Sequence, residues 1–362
     1  MREVDFFEIT SRVCSASARI YLLVTKSHFW DQNACDWLAQ FAANKLVELG
    51  YEPTIVSEVP DGWNYPRYPI IALDKFYEQV NSIDDLLIFS VSHHCPLAIE
   101  IEASNRFKTL DMTAYCLDSG KIGIGYVNDN WSKVQEVLSI LKDTTSRSTY
   151  LNVLLARITG DLRSIKPSIY PIYQHPALKN LDGLDGHIID AGSFDGSEAY
   201  RFADKLNDPF CVFGYEFDHD NYQKFLSSSA NHKVQFINKG LWSKSGFALI
   251  EGSGIAATVK EFSLIPADNL APMVSLDQEF YGKTKVGFIK MDIEGAEYEA
   301  ILGAKNIIQY QAPYLALSIY HKAEDLWTIP LLIQKINPHY EFYFGQHDQL
   351  LSESVIYCVP KT

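Results

Sequence analysis

The sequence predicts an α/β protein of two domains, and three observations lead to this prediction. Strand-like and helix-like segments alternate along the whole chain, a pattern typical of layered folds with mostly parallel sheets. The length of 362 residues exceeds one average domain and suits two of ordinary size. Hydrophobic residues make up 47% of the chain, as in folded soluble proteins.

The charge balance excludes several classes of partner. The formal net charge of -14 argues against broad contact with nucleic acid or anionic membrane, since both need clustered Lys and Arg. No apolar run approaches the roughly 20 residues that span a bilayer, and the N-terminus lacks a signal-peptide core. The 6 cysteines are scattered and indicate neither a zinc site nor a redox motif. We therefore expect a cytoplasmic protein without a membrane span.

Residues 1–143 are predicted to form a small α/β domain of unknown role. Its strands are expected at residues 19–24, 54–56, 70–73, 86–89 and 121–126, and its helices at 36–49, 75–79 and 131–142. The segment Lys26-Ser27-His28-Phe29-Trp30 after the first strand has no glycine-rich turn, so no nucleotide site is predicted there. Acceptor recognition, homodimer formation and scaffolding are all compatible with this domain.

Residues 144–186 are predicted to be a connecting helix and linker, and residues 187–362 the second domain. Prolines and glycines between residues 166 and 186 indicate the linker. Strands are expected at residues 187–191, 211–216, 234–238, 286–291, 315–320, 340–344 and 355–359, and helices at 197–206, 218–227, 297–308 and 325–336. A short loop joins the last two strands, which predicts an antiparallel hairpin.

A glycine-containing loop follows the first strand of the second domain. Asp190 ends the strand, and Gly192 and Gly196 bracket a tight turn into the next helix, which Ser197 is expected to cap. A dinucleotide fingerprint would read Gly-x-Gly-x-x-Gly and hold a pyrophosphate. Asp190 and Asp195 would repel a pyrophosphate and instead suit a cationic ligand. A tight turn without any ligand is the competing interpretation.

The next predicted strand ends in an acid. Glu216 is the only charged residue of the segment 211–216. A carboxylate at this place in a nucleotide-binding half can accept hydrogen bonds from both ribose hydroxyls. Although an exposed glutamate at a strand end is the simpler interpretation, Glu216 and the preceding loop together indicate a nucleoside site.

A third segment combines an apolar strand with several acids. Residues 287–297 read Gly-Phe-Ile-Lys-Met-Asp-Ile-Glu-Gly-Ala-Glu, so that Asp292 and Glu294 follow the strand and Glu297 begins a helix. Carboxylates at the C-terminal end of a strand lie at the mouth of an open α/β sheet, where ligands bind. Alternation is expected to point Asp292 and Glu294 the same way, towards a shared site.

This segment resembles the FkbM family of methyltransferases, which share a Phe-Ile-Lys-x-Asp-x-Glu-Gly-Ala-Glu sequence. Other segments of the family type occur in the right order, namely residues 190–196, 215–218, 240–243, 274–277, 318–322 and 325–327. The resemblance covers about residues 187–359. It implies a class I, Rossmann-like methyltransferase with a seven-stranded sheet and a C-terminal antiparallel hairpin.

The resemblance also implies the ligands. S-adenosyl-L-methionine would be the methyl donor, and the acceptor would be a hydroxyl of a glycan, a lipid-linked sugar or a secondary metabolite. The loop would hold the methionine portion and Glu216 the ribose, with Phe217 and Gly240 near the adenine. The expected donor-binding residues are Asp190, Gly192, Ser193, Phe194, Asp195, Gly196, Glu216, Phe217, Gly240 and Asp292.

The family further implies that Asp292, Glu294 and His321 face the acceptor. His321 is the first candidate for general base because its unperturbed pKa lies near neutrality. A histidine bonded only to nearby backbone is the alternative. Asp292 and Glu294 would act as base, orient the histidine or bind a divalent cation, while Glu294 could instead cap the following helix. No metal site is predicted.

Two other functions compete with methyl transfer. A non-catalytic module that keeps the nucleoside fold for binding or assembly would not bind S-adenosylmethionine. A nicotinamide-dependent oxidoreductase is disfavoured by the missing third glycine and by the acids of the loop.

Overall fold

The structure is a computed structural model, and it describes most of the second half of the chain and parts of the first. The described residues are 19–24, 40, 42–44, 46–47, 51–57, 67–80, 86–91, 109–111, 124–159, 165–178, 183–219, 221–223, 233–251, 258–265, 270–348 and 351–361. Most of the helix predicted at residues 36–49 lies outside these ranges, as does much of that at 218–227.

The chain divides into two compact units. The first comprises residues 1–129, 151–166 and 349–351, and the second comprises residues 130–150, 167–348 and 352–362. We call them the N-terminal unit and the C-terminal unit. The α/β character predicted for the chain is confirmed in both.

The N-terminal unit contains a sheet of five parallel strands among the residues described. In chain order these are β1 (Arg19–Val24), β2 (Pro53–Val56), β3 (Ile70–Ile71), β4 (Leu86–Val91) and β5 (Thr109–Asp111). They lie in the order β3-β2-β1-β4-β5. Helix α1 (Leu73–Val80) packs on the sheet through Phe76 and Val80, which join Tyr21 and Leu23 in a buried cluster.

One strand prediction in this unit is wrong. Residues 121–126 were expected to form a strand, but helix α2 (Ile124–Asp129) occupies their second half. The apolar side chains that suggested a strand do not share a buried face, because Ile124 and Tyr126 are exposed and only Val127 is buried.

The C-terminal unit contributes eleven strands and most of the remaining helices among the described residues. The strands are β6 (His187–Ala191), β7 (Val212–Tyr215), β8 (Val234–Ile237), β9 (Gly240–Leu241), β10 (Gly246–Glu251), β11 (Thr258–Ser263), β12 (Leu270–Val274), β13 (Val286–Met291), β14 (Tyr314–Ser318), β15 (Tyr340–Gln346) and β16 (Ser354–Pro360). The helices are α3 (Trp131–Ile140), α4 (Thr144–Thr159, which continues into the N-terminal unit), α5 (Ser197–Ala203), α6 (Leu276–Phe280), α7 (Glu297–Leu302), a π-helical turn (Ile307–Gln311) and α8 (Asp325–Ile336).

The larger sheet of this unit has the described order β15-β16-β14-β13-β6-β7-β8. The strands from β14 to β8 are parallel, and β16 runs antiparallel to both β14 and β15. All six residues of β13 are buried, as expected for a central strand covered on both faces. Parallel order brings the C-terminal ends of β6, β7 and β13 to one edge of the sheet.

A second sheet in this unit was not predicted. Its four described strands have the order β11-β10-β12-β9, and β10 pairs with β11 and β12 in antiparallel fashion. Gly240 and Leu241 of β9 pair with Met273 and Val274 of β12. This small sheet therefore begins directly after the loop that follows β8.

No helix among the described residues combines the length and apolar character needed to cross a membrane.

Candidate active site

A buried ion pair lies beneath the loop that follows β6. The register of the parallel strands places Asp190 beside Lys290, and Lys290 Nζ is 3.0 Å from Asp190 Oδ1. The same ammonium donates to the carbonyl of Gly192 over 2.7 Å. Burial disfavours the ammonium, but the charges of Asp190 and Asp292 outweigh it and raise the pKa of Lys290. The Asp190 side chain is 0% exposed. Its carboxylate therefore influences the loop by orienting the Lys290 ammonium, which is bonded to the Gly192 carbonyl.

Gly192 joins this loop to the one that follows β13. Its φ of +73° is left-handed, and a Cβ atom there would lie 1.7 Å from the carbonyl oxygen of Asp292. The amide of Asp292 in turn donates to the carbonyl of Ala191 over 3.0 Å. The glycine is thus required by contact between two backbone segments of the protein, whereas the sequence suggested contact with a ligand.

The remaining loop residues form a tight turn into α5. The Ser193 hydroxyl donates to the carbonyl of Asp190 over 2.8 Å, and Phe194 and Gly196 have left-handed backbones. Gly196 occupies the N-cap position, which the sequence assigned to Ser197. Asp195 Oδ1 accepts the Ser197 amide over 3.0 Å, so this acid satisfies the start of the helix.

Glu216 connects the loop to the end of β7. Its Oε2 accepts the Phe194 amide over 3.0 Å and its Oε1 accepts the Asp218 amide over 2.8 Å. Burial raises the pKa of Glu216, although the two amides favour its charged form. A carboxylate has about four acceptor positions, so these two bonds orient it and leave capacity for hydroxyl donors.

Phe217 and Gly240 lie together next to Glu216. A Cβ atom on Gly240 would lie 3.6 Å from Cβ of Phe217, and closer still to the sulfur of Met273. The Asn238 side-chain amide donates to the carbonyls of Glu216 and Phe217, over 2.8 and 3.2 Å. Asn238 therefore fixes this turn, a role that the sequence did not indicate.

Asp292 is surrounded by hydrogen-bond donors. The Tyr173 hydroxyl donates to Oδ2 over 2.8 Å, and the Tyr320 hydroxyl donates to Oδ1 over 3.2 Å. His321 Nε2 lies 3.3 Å from the same Oδ1. Burial, followed by the charge of Asp292, raises the pKa values of Tyr173 and Tyr320, so both hydroxyls stay protonated and act as donors.

His321 lies between carboxylates on both edges of its ring. Nδ1 is 2.9 Å from Glu297 Oε1, while Nε2 is 3.3 Å from Glu294 Oε2 and equally far from Asp292. Asp292 and Glu294 thus share a site, but they do so from the loop after β13, because that strand ends at Met291. Glu294 has a left-handed φ of +55° and does not cap α7, whose N-cap residue is Ala296.

The protonation state of His321 follows from this setting. Burial disfavours the imidazolium, but the charges of Glu297 and Asp292 and the contacts with Glu294 outweigh burial and raise its pKa well above the usual range. The pKa of Glu294 is also raised, chiefly by burial. His321 is therefore charged at neutral pH and accepts a proton only after releasing the one it holds.

Three of these residues also have the geometry of metal ligands. Asp292, Glu297 and His321 each present one ligand atom, and the three atoms lie within 4.8 Å of one another. Asp292 already accepts two tyrosine hydroxyls, and Glu297 Oε1 accepts the Ile293 amide over 2.8 Å. The same three residues equally fit an imidazolium enclosed by carboxylates, and the proposed methyl transfer requires no metal.

Several residues at the site were not predicted. Glu297 lies in the family-like segment, which could have identified it, and Tyr320 immediately precedes His321. Glu353 comes from the loop between β15 and β16; burial and the charge of Asp292 raise its pKa to about 7. Tyr173 lies in the predicted linker, and no motif in the sequence marks it.

One family model matches part of the chain. Residues 190–355 match the family model of the methyltransferase FkbM domain. None of the curated proteins compared with the sequence matches it significantly. The matched residues include β13, β14 and every residue predicted above for the donor and acceptor, whereas Tyr173 lies outside them.

Solved structures provide a second comparison. The crystal structure of methyltransferase FkbM from Methylobacillus flagellatus KT is similar with a TM-score of 0.73 and 21% identity, over 97% of this chain and 92% of that one. Aeropyrum pernix fibrillarin, crystallised with natively bound S-adenosyl-L-methionine, gives a TM-score of only 0.33 at 10% identity, over 50% of this chain and 68% of that one. The chain shares the fold of the first structure, and residues 190–355 are similar to the methyltransferase FkbM domain.

Proposed function

We propose that the protein is an S-adenosylmethionine-dependent O-methyltransferase whose larger sheet has the class I arrangement. When the five parallel strands are numbered in chain order and read across the sheet from β8, their order is 3-2-1-4-5. The strands β16 and β15 complete the sheet as an antiparallel pair. Ligands of such sheets bind at the carboxyl ends of the strands, where the order reverses between β6 and β13. The loops that carry Gly192 and Asp292 both start there.

The donor fits the residues at the ends of β6 and β7. Glu216 is held by the Phe194 and Asp218 amides and retains acceptor capacity for two ribose hydroxyls. Phe217 and Gly240 would flank the adenine, and the loop from Asp190 to Gly196 would hold the methionine portion. The net acidity of the neighbouring side chains favours a cationic donor over a pyrophosphate.

The observation that carries the proposal is the contact between Gly192 and the backbone of Asp292. Because of this contact, the loop that would hold the donor lies directly beside the acids that would face the acceptor. Methyl transfer requires an in-line arrangement of acceptor oxygen, methyl carbon and sulfur, which only adjoining subsites can supply.

The side chains around Asp292 suit a hydroxyl acceptor. S-adenosylmethionine supplies a methyl group that is already activated by a positively charged sulfur. Asp292 and Glu294 would accept hydrogen bonds from the substrate, and neutral His321 would remove the hydroxyl proton as the new bond forms. The rings of Tyr173 and Tyr320 beside these acids resemble the aromatic and acidic lining of sugar sites, so we favour a glycan or lipid-linked sugar over other secondary metabolites.

The decisive test is calorimetry with S-adenosylmethionine on the whole chain. We expect binding by the unmodified protein and at least about tenfold weaker binding by Glu216→Ala, because two ribose hydrogen bonds are lost. Glu341→Gln alters a carboxylate that lies on β15 beside Lys142 and serves as the matched control. If the unmodified protein does not bind the donor, the chain is better described as a non-catalytic binding module.

A second measurement defines the acceptor. Radiolabelled methyl transfer would be followed with a panel of methyl glycosides, a lipid-linked sugar and a phenol. Methylation of an amine or thiol, with none of a hydroxyl, would contradict O-methyl transfer while leaving the donor assignment intact.

A further inference from the structure

The segment 167–178 lies outside the family model, yet it reaches the candidate active site. It precedes β6 in the chain and is bound to the hairpin of β15 and β16. The Ser168 amide donates to the Gln346 carbonyl over 2.6 Å, and the Gln346 amide donates to the Ser168 hydroxyl over 3.2 Å. These two bonds attach the start of the segment to the end of β15.

Aromatic contacts reinforce this attachment. A cluster of five rings joins the segment to the hairpin, with ring centroids 4.8 to 6.3 Å apart in the pairs involving Tyr170, His175, Tyr343, His347 and Tyr357. Burial lowers the pKa values of His175 and His347 to about 4. Both histidines are therefore neutral at physiological pH and serve as packing and hydrogen-bonding groups.

The cluster holds the backbone of Tyr173. The Tyr173 amide donates to the Tyr357 hydroxyl over 3.1 Å, and that hydroxyl lies 2.8 Å from His347 Nε2. Tyr173 has a left-handed φ of +58°, which is costly for a residue with a side chain. The surrounding contacts maintain this strained conformation, and it directs the side chain towards Asp292.

The Tyr173 hydroxyl ends at the acceptor acids. It donates to Asp292 Oδ2 over 2.8 Å, and the ring lies 5.3 Å from Lys290 Nζ. Glu294 and Glu353, near the same carboxylate, also have left-handed backbones. Strained residues of this kind concentrate at functional sites, where neighbouring structure maintains them.

We propose that Tyr173 is a positioning residue that fixes the Asp292 carboxylate for the acceptor, and that the segment 167–178 is an integral part of the acceptor pocket. This inference rests on the proposed function for its chemistry, but its physical claim concerns two side chains of this protein. Tyr173 acts by orienting Asp292 and by taking up part of its negative charge through the hydrogen bond; it does not itself exchange a proton.

The first test needs neither donor nor acceptor. NMR of protein labelled with 15N-histidine would follow the titration of His321, assigned by its loss in His321→Gln. The carboxylates that face this ring are Asp292, Glu294, Glu297, Asp325 and Glu353. All five remain in Tyr173→Phe, but Asp292 loses one donor and pairs more strongly with the imidazolium.

We expect Tyr173→Phe to raise the titration midpoint of His321 by roughly half a pH unit. Tyr343→Phe is the matched control, because its hydroxyl bonds to Glu341 and not to the acceptor acids. An unchanged midpoint in Tyr173→Phe, or an equal shift in Tyr343→Phe, would overturn the proposal.

The second test is kinetic and uses the fastest member of the glycoside panel. Tyr173→Phe should lower kcat about tenfold at unchanged KM for S-adenosylmethionine, and should have no further effect in an Asp292→Asn background. Equal losses in both backgrounds would mean that Tyr173 acts independently of Asp292. Failure of the proposed function would appear separately, as absence of donor binding in calorimetry, and the NMR result would still decide the role of Tyr173.

Discussion

The two parallel sheets of this protein share a strand order but differ in the chemistry at their edges. Both the N-terminal sheet, β3-β2-β1-β4-β5, and the parallel part of the larger sheet, β8-β7-β6-β13-β14, follow the order 3-2-1-4-5 among the residues described. Each therefore has a point, between β1 and β4 or between β6 and β13, where neighbouring connections diverge and a crevice can form.

The two points differ in the residues at the ends of their strands. β6 ends in Asp190-Ala191 and leads into Gly192, while β13 leads into Asp292 and Glu294. β1 and β4 both end in valine, and the sequence after β1 contains no glycine before residue 50. The shared strand order thus provides a crevice in each sheet. The glycines and acids at the strand ends of the larger sheet provide the residues of the candidate site.

The largest expected effect concerns the glycine that distinguishes the two sheets. Gly192→Ala would place a methyl group 1.7 Å from the Asp292 carbonyl oxygen, so the loops after β6 and β13 would have to separate. We expect loss of donor binding and a fall in Tm of about 10 °C or more, measured by calorimetry.

Gly282 provides the matched control for this change. Its φ of +76° is equally left-handed, but a Cβ atom there would meet nothing within 4 Å. Gly282→Ala should cost only about 1–2 kcal/mol for its backbone conformation. Equal losses in the two variants would show that the Gly192 contact has no special importance.

The next effect concerns the proposed base. His321→Ala should lower kcat by about 100-fold or more without changing donor affinity, whereas His339→Ala, at an exposed position, should leave both unchanged. Since the pKa of His321 is raised, the neutral base becomes available only at higher pH. At pH values below that pKa, kcat of the unmodified protein should rise roughly tenfold per pH unit. In His321→Gln, kcat should no longer depend on pH in this way. A variant with near-normal turnover would remove His321 from the mechanism.

The smallest expected effect concerns the number of S-adenosylmethionine molecules that bind to each protein chain. If only the larger sheet holds the donor, titration of the whole chain should end at one S-adenosylmethionine per protein. A second binding event that survives Glu216→Ala would contradict the contrast between the two sheets, because it would require a site outside the C-terminal unit.

The strands and helices that surround the site could be predicted well from sequence. The predicted boundaries of β6, β13 and α8 are confirmed, because each is mostly apolar and is followed by a residue that ends the pattern, namely Gly192, Asp292 and Asn337. The small sheet of β9 to β12 escaped prediction. Its β9 has two residues, its β10 is irregular at Leu249 and Ile250, and its β12 contains Pro272, so period-two alternation is weak throughout.

The site itself was only partly predictable, for a similar reason. Asp292, Glu294 and His321 were expected together, since acids and a histidine after neighbouring parallel strands meet at one edge of a sheet. The contact of Tyr173 with Asp292 joins residues 119 positions apart and depends on a left-handed backbone in a proline-rich segment. Local sequence patterns carry no information about such a contact.

The backbone contact between Gly192 and Asp292 has a practical consequence for redesign. An acceptor loop taken from a methyltransferase would have a different backbone conformation at residue 292. The loop after β6 would then have to change its own conformation to keep the contact. Exchange of residues 292–297 alone should therefore disturb the donor site as well, whereas exchange together with residues 190–196 would transfer both faces of the contact as one piece.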